Sequence, residues 1–151
     1  MNYQIRPVLF NDRYQKGNRG IFYEIIFEDK EKNHGYVELL FYPLNKLKIL
    51  HKICNSERIE LSDTIAHINR FFPNGSSKSK EEEIGRKGVG TDILLRCIED
   101  SKQNGAKILF IGFASDKLCD YLRKRNFIEI GQFAFYINLS IYKLEDLKKL
   151  D

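Results

Sequence analysis

The chain has 151 residues, 42% hydrophobic and 30% charged, which supplies one globular core and is short for two domains. A net charge of +4 and a pI near 8.9 favour anionic ligands without the charge density of a nucleic-acid binder. No stretch approaches the roughly 18 apolar residues of a membrane helix, and charges interrupt MNYQIRPVLFNDR where a secretory signal would be apolar, so membrane insertion and secretion are not expected.

Residues 3–9 read as a first strand, followed by the turn-rich NDRYQKGNRG. Residues 21–28 (IFYEIIFE) and 36–42 (YVELLFY) are β-branched and aromatic runs on either side of the polar turn DKEKNHG, which predicts a hairpin. Leu47, Ile49 and Ile53 alternate with Lys48 and Lys52 and suggest another extended piece. Residues 63–73 (DTIAHINRFFP) are ambiguous, because Leu61, Ile65, Ile68 and Phe72 also fall at helical spacing, and periodicity alone slightly prefers a helix. NGSSKSKEEE, residues 74–83, reads as an exposed loop that separates this strand-rich half from a back half in which helices and strands alternate.

In the back half, residues 89–104 place Ile93, Leu94, Cys97, Ile98 and Ser101 on one face, and Asn104-Gly105 supplies a left-handed stop. AKILFIGF has the length and continuous apolar character of a strand buried on both faces. Ser115 or Asp116 can cap a second helix carrying Leu118, Cys119, Tyr121 and Leu122, which ends at Asn126. Two strands follow, 127–131 and 133–140, and IYKLEDLKKL spaces Ile141, Leu144, Leu147 and Leu150 as a closing helix.

The most informative residues are 85–91, GRKGVGT, at the start of the first of these helices. Glycines let backbone N–H groups approach a ligand, the helix N-terminus adds partial positive charge, and Arg86 and Lys87 add full charges, so a phosphate or pyrophosphate is the natural occupant. Two familiar phosphate loops are excluded. In G-x-x-x-x-G-K-[ST] the lysine position would be Thr91 and the hydroxyl position Asp92, and in G-x-G-x-x-G the third glycine would be Ile93 with KEEE upstream in place of an apolar strand.

The RKGVGT segment, with the amphipathic helix, KILFIGF and YLRKRNFIEIG that follow it, resembles the coenzyme A loop and neighbourhood of the GCN5-related N-acetyltransferases. INRFFP resembles the strand that leads the family's chain to that loop, YVELLFY the strand before it, and IRP at residues 5–7 a common opening. The resemblance implies an α/β (α+β) fold: a mixed, mostly antiparallel sheet flanked by helices and splayed where two parallel strands, 64–72 and 108–113, separate. It overrides the helical spacing at 64–72. It further implies a single acetyltransferase domain over residues 1–151, with acetyl-CoA as cofactor and a primary amine on a small molecule or peptide as acceptor.

Carried over residue by residue, the resemblance gives coenzyme A to Arg86, Lys87, Gly88, Val89, Gly90 and Thr91, with Phe72 at the end of the strand, Ser115 near the pantetheine arm and Lys124 toward the 3′-phosphate. Backbone amides near residue 72 would polarise the thioester carbonyl. His67 lies on the strand where the family places the residue that deprotonates the amine, and its ordinary pKa suits that work near neutrality. Several positions depart from the pattern. Gly85 stands in place of the leading Arg or Gln, and Leu122 falls where the family has its acid tyrosine. Tyr121 is one position earlier and is expected mainly to pack, yet it is the nearest hydroxyl for protonating the thiolate. A non-catalytic coenzyme A sensor or scaffold is the alternative that Leu122 favours. Cys54, Cys97 and Cys119 have no C-x-x-C spacing and read as reduced thiols in a cytoplasmic protein, His34, His51 and His67 are too scattered for a metal site, and a homodimer is left open.

Overall fold

A computed structural model describes residues 3–12, 18–28, 34–75, 88–112 and 114–148. The β-branched and aromatic runs of the front half form three ten-residue strands, β1 (Tyr3–Asp12), β2 (Asn18–Phe27) and β3 (His34–Pro43), paired antiparallel in sequence order. β1 is the free edge, with Pro7 near its middle and Leu9 79% exposed. β4 (Thr64–Phe72) is antiparallel to β3, and β5 (Ile108–Ile111) runs parallel to β4. β6 (Ile128–Gly131) and β7 (Ala134–Asn138) complete a seven-stranded sheet in the order β1-β2-β3-β4-β5-β7-β6. This α+β architecture, mostly antiparallel with one parallel pair, is the one the sequence led us to expect.

Each face of the sheet has its own cover. On one face, Tyr23, Leu39, Ile68 and Phe135 pack against helix α2 (Val89–Gln103), through Ile93, Leu94, Cys97 and Ile98, and against α3 (Asp116–Lys124) through Cys119 and Leu122. Alternation along β4 sends Ala66 and Ile68 to this face and Ile65 and His67 to the other. On the second face, Leu40, Ile65, Ile108 and Phe110 are covered by residues 44–63, through Leu44, Leu50, Ile53 and Ile59.

That covering segment corrects one expectation. Residues 47–53 are not extended: Leu44–Lys46 and Lys48–Ile53 are 3₁₀ turns that run into the single helical turn α1 (Cys54–Glu57). Leu44, Leu47, Leu50 and Ile53 recur every third residue, the period of a 3₁₀ helix, and so share the inward side. The closing helix also starts later than its spacing suggested. Among the described residues Leu144–Leu147 (α4) is helical, with Leu147 buried and Ile141 70% exposed, and Leu150 lies outside the described residues. Residues 64–72 are strand, as the resemblance required: the first half of β4, from Ile65 to Ile68, is covered on both faces, so its apolar residues lose the two-residue alternation and mimic helical spacing.

Candidate functional site

β4 and β5 are paired for only four residues, from Ile65 opposite Ile108 to Ile68 opposite Ile111. β5 ends there, while β4 continues to Phe72 along β3. The parting coincides with a β-bulge. Leu39 faces Ile68 but Glu38 faces Arg70, which leaves Asn69 as the extra residue on β4. Its side-chain amide donates to Glu38 Oε1 at 2.7 Å, fixing the bend where the strands separate. β4 thus carries backbone beyond Ile68 that β5 does not pair.

Helix α2 begins close to the chain just past β4, where a Cβ on Gly90 would lie 3.9 Å from Pro73 Cγ. Gly88 is its N-cap at φ 93°, a left-handed conformation that calls for glycine, and a Cβ there would meet nothing within 4 Å. Gly90 lies outside the left-handed region, and a Cβ on it would make only an ordinary 3.9 Å contact with Pro73 Cγ. Neither conformation nor packing among the described residues therefore requires Gly90 to lack a side chain. The intrahelical ladder starts with Asp92 N–H donating to Gly88 O at 3.1 Å, so the amides of residues 89–91 have no intrahelical acceptor, as at any helix N-terminus. Val89 buries its side chain in the core and has only its backbone to offer. Arg86, Lys87 and the 76–83 part of the polar loop lie outside the described residues.

The remaining expected residues divide into two groups. Thr91 and Tyr121 come together: the Thr91 hydroxyl is hydrogen-bonded to the Tyr121 hydroxyl, tying the start of α2 to α3. The Tyr121 ring packs on the core and lies under the Arg125 guanidinium at 3.5 Å, so it has the packing role foreseen for it while its hydroxyl sits beside the loop. Ser115 caps α3 by accepting the Leu118 N–H at 3.2 Å. Arg125 is buried and donates to the carbonyls of Leu147 and Tyr121, and the exposed Arg123 pairs with Asp120 and Glu129, which leaves Lys124, also exposed, as the member of that basic run with no ion-pair partner among the described residues. Phe72 is 52% exposed and its ring meets Tyr36 at 5.2 Å on the second face, so its side chain points away from α2.

His67 is also on the second face, one residue before pairing with β5 ends. Its ring packs against Phe110 at 5.1 Å, and Nδ1 is 2.6 Å from the Tyr42 hydroxyl. Burial drives its pKa down from 6.5 to about 4, because the imidazolium is poorly solvated there, and pushes Tyr42 up to about 12 for the corresponding reason. His67 is therefore neutral across the physiological range, and the titration near neutrality that made it attractive as a base is displaced. Burial also raises the Cys119 thiol, whose Sγ lies 3.6 Å from Ala114 O, a structural setting.

Sequence reasoning missed Tyr42 and Asn69. Tyr42 lies 25 residues from His67 and becomes its partner only through the β3/β4 register, and no local signal marks the bulge at Asn69. Compared with known proteins, the chain matches no family model, no curated protein and no solved structure.

Proposed function

We propose that the protein is a coenzyme A-dependent N-acyltransferase, related to the GCN5-related N-acetyltransferases, that passes an acetyl group to a primary amine. The observation that carries this reading is the parting of β4 and β5 at the Asn69 bulge, with the chain leaving β4 at Pro73 next to a helix N-terminus whose Gly90 neither conformation nor packing among the described residues requires. Acetyl-CoA would supply the activated thioester. The amides of residues 88–91 would receive its pyrophosphate, with Arg86 and Lys87 adjoining them in sequence and Lys124 as a further exposed cation. Backbone at the end of β4 would face the acyl group, and the Tyr121 hydroxyl, hydrogen-bonded to Thr91 at the start of α2, would be a donor for the departing thiolate. The free thiols Cys54, Cys97 and Cys119 fit a cytoplasmic setting.

A second reading, a sensor or scaffold that binds coenzyme A without turnover, is favoured by Leu122, which is fully buried where the family's acid tyrosine falls. Calorimetry with acetyl-CoA followed by a thiol-release assay over a panel of primary amines separates the two. Binding with amine-dependent thiol release is expected, binding without release establishes the sensor, and no binding at millimolar ligand overturns both.

A further inference from the structure

Tyr42 and His67 form a half-buried pair, and which of them donates decides what His67 can do. If His67 Nδ1–H donated to Tyr42, the phenolic proton would be left without a partner among the described residues. If the Tyr42 O–H donates to Nδ1, the hydroxyl is satisfied and the only open group is the ring's other nitrogen. A phenol is the stronger acid and an imidazole nitrogen the better acceptor, so chemistry favours the same direction. Among the described residues Nε2 has no protein partner and is not wholly shut off from solvent.

We propose that Tyr42 holds His67 as the neutral Nε2–H tautomer, and that His67 serves the reaction as a hydrogen-bond donor to a carbonyl oxygen and not as the base, with Tyr42 as its positioning residue. The assignment rests on the acyl-transfer reading above. Phe110 closes the ring's β5 side, and the next titratable pair on this face is occupied internally, since Glu57 accepts from Tyr136 at 2.9 Å and from Asn138 at 2.8 Å. Burial, which keeps His67 uncharged near neutrality, keeps Nε2–H a donor of constant strength there. In the transfer step the amine nitrogen bonds to the thioester carbon, and the carbonyl π pair moves onto oxygen, where Nε2–H meets the growing charge. On collapse the C–S bond breaks with its electron pair leaving on sulfur. The proton lost by nitrogen reaches the thiolate through water, while the His67 proton stays on Nε2.

Glutamine separates donor from base, because its side-chain N–H₂ replaces Nε2–H but takes up no proton near neutrality. We expect His67→Ala to lose about 10² to 10³ in kcat and His67→Gln to stay within roughly tenfold of wild type. If a simple alkylamine and a carbonyl-bearing amine suffer alike in His67→Ala, the oxygen engaged is the thioester's. A loss confined to KM for the carbonyl-bearing amine assigns it to the acceptor. His67→Gln as impaired as His67→Ala, with a histidine limb missing from the pH–rate profile, makes His67 the base and overturns the proposal. Nitrogen NMR of the ¹⁵N-histidine-labelled protein reads the tautomer without turnover: Nδ1 unprotonated and Nε2 protonated in wild type, a mixture in Tyr42→Phe. The reverse tautomer in wild type also overturns it, whereas failure of acetyl-CoA to bind overturns the acyl-transfer reading and leaves the tautomer measurement standing.

Discussion

The two faces of the sheet are built from the same strands and differ in what covers them. The α2/α3 face is mainly apolar, with its helices burying Leu39, Ile68, Ile93 and Leu94. Among its few polar groups, the Tyr23 hydroxyl donates to Asp100 at 2.5 Å, and the buried Ser101 Oγ has no hydrogen-bond partner among the described residues. The opposite face is covered by short 3₁₀ turns and mixes Leu40 and Ile65 with Tyr42, His67, Tyr136 and Glu57. One face is organised for burial. The other spends burial on polar groups, and such groups persist where they are fully paired or where one is left open for a ligand.

If that division holds, truncation on the helix face has the largest effect on stability. Leu94→Ala removes a fully buried side chain and should cost about 2 to 5 kcal/mol in urea unfolding. A cost under about 1 kcal/mol would mean that α2 is not the principal cover.

The second face should declare itself through pH. Because the folded protein holds His67 neutral down to about 4 while the unfolded chain protonates it near 6.5, the unfolded state takes up the proton first as pH falls. The resulting stability is complete above about pH 6.5 and drains away toward pH 4, by up to about 3 kcal/mol. Urea titrations of wild type and His67→Gln at neutral pH and near the folded pKa should show the difference, and parallel pH dependences in the two proteins would break the comparison.

The smallest effect on stability belongs to Gly90. With an ordinary 3.9 Å contact awaiting a Cβ and no left-handed φ, Gly90→Ala should shift the melting midpoint little, and Gly90→Glu should abolish acetyl-CoA binding through bulk and like charge while leaving the fold intact. Unfolding by Gly90→Glu would assign the glycine to architecture instead of to the ligand.

How much of this was legible follows the same division. Helix α2 could be read residue by residue, since its buried positions repeat at the helical period and Gly105 (φ 78°) ends it as expected. Asn126, at φ 62°, likewise follows α3 where an asparagine tolerates the turn. The second face was poorly legible. Its cover follows a three-residue period that reads as alternation at Leu47, Ile49 and Ile53, although Leu44, Leu50 and Ile53 carry the right signal behind Pro43. His67 could be chosen from sequence, but the feature that resets its chemistry, a phenol on the neighbouring strand, is a product of register.

Pro7 has a consequence for the protein's dealings with other copies of itself. A proline fits a paired strand where its missing donor would have faced outward, so Pro7 belongs with Ile5, Leu9 and Asn11 to the residues of β1 that present their main chain to solvent. Their outward ladder is what a strand from another chain would have to grip, and it lacks a donor near its centre. The exposed Leu9, 79% accessible on a strand whose outer edge no other described strand pairs, can therefore remain at the surface without seeding intermolecular sheet growth.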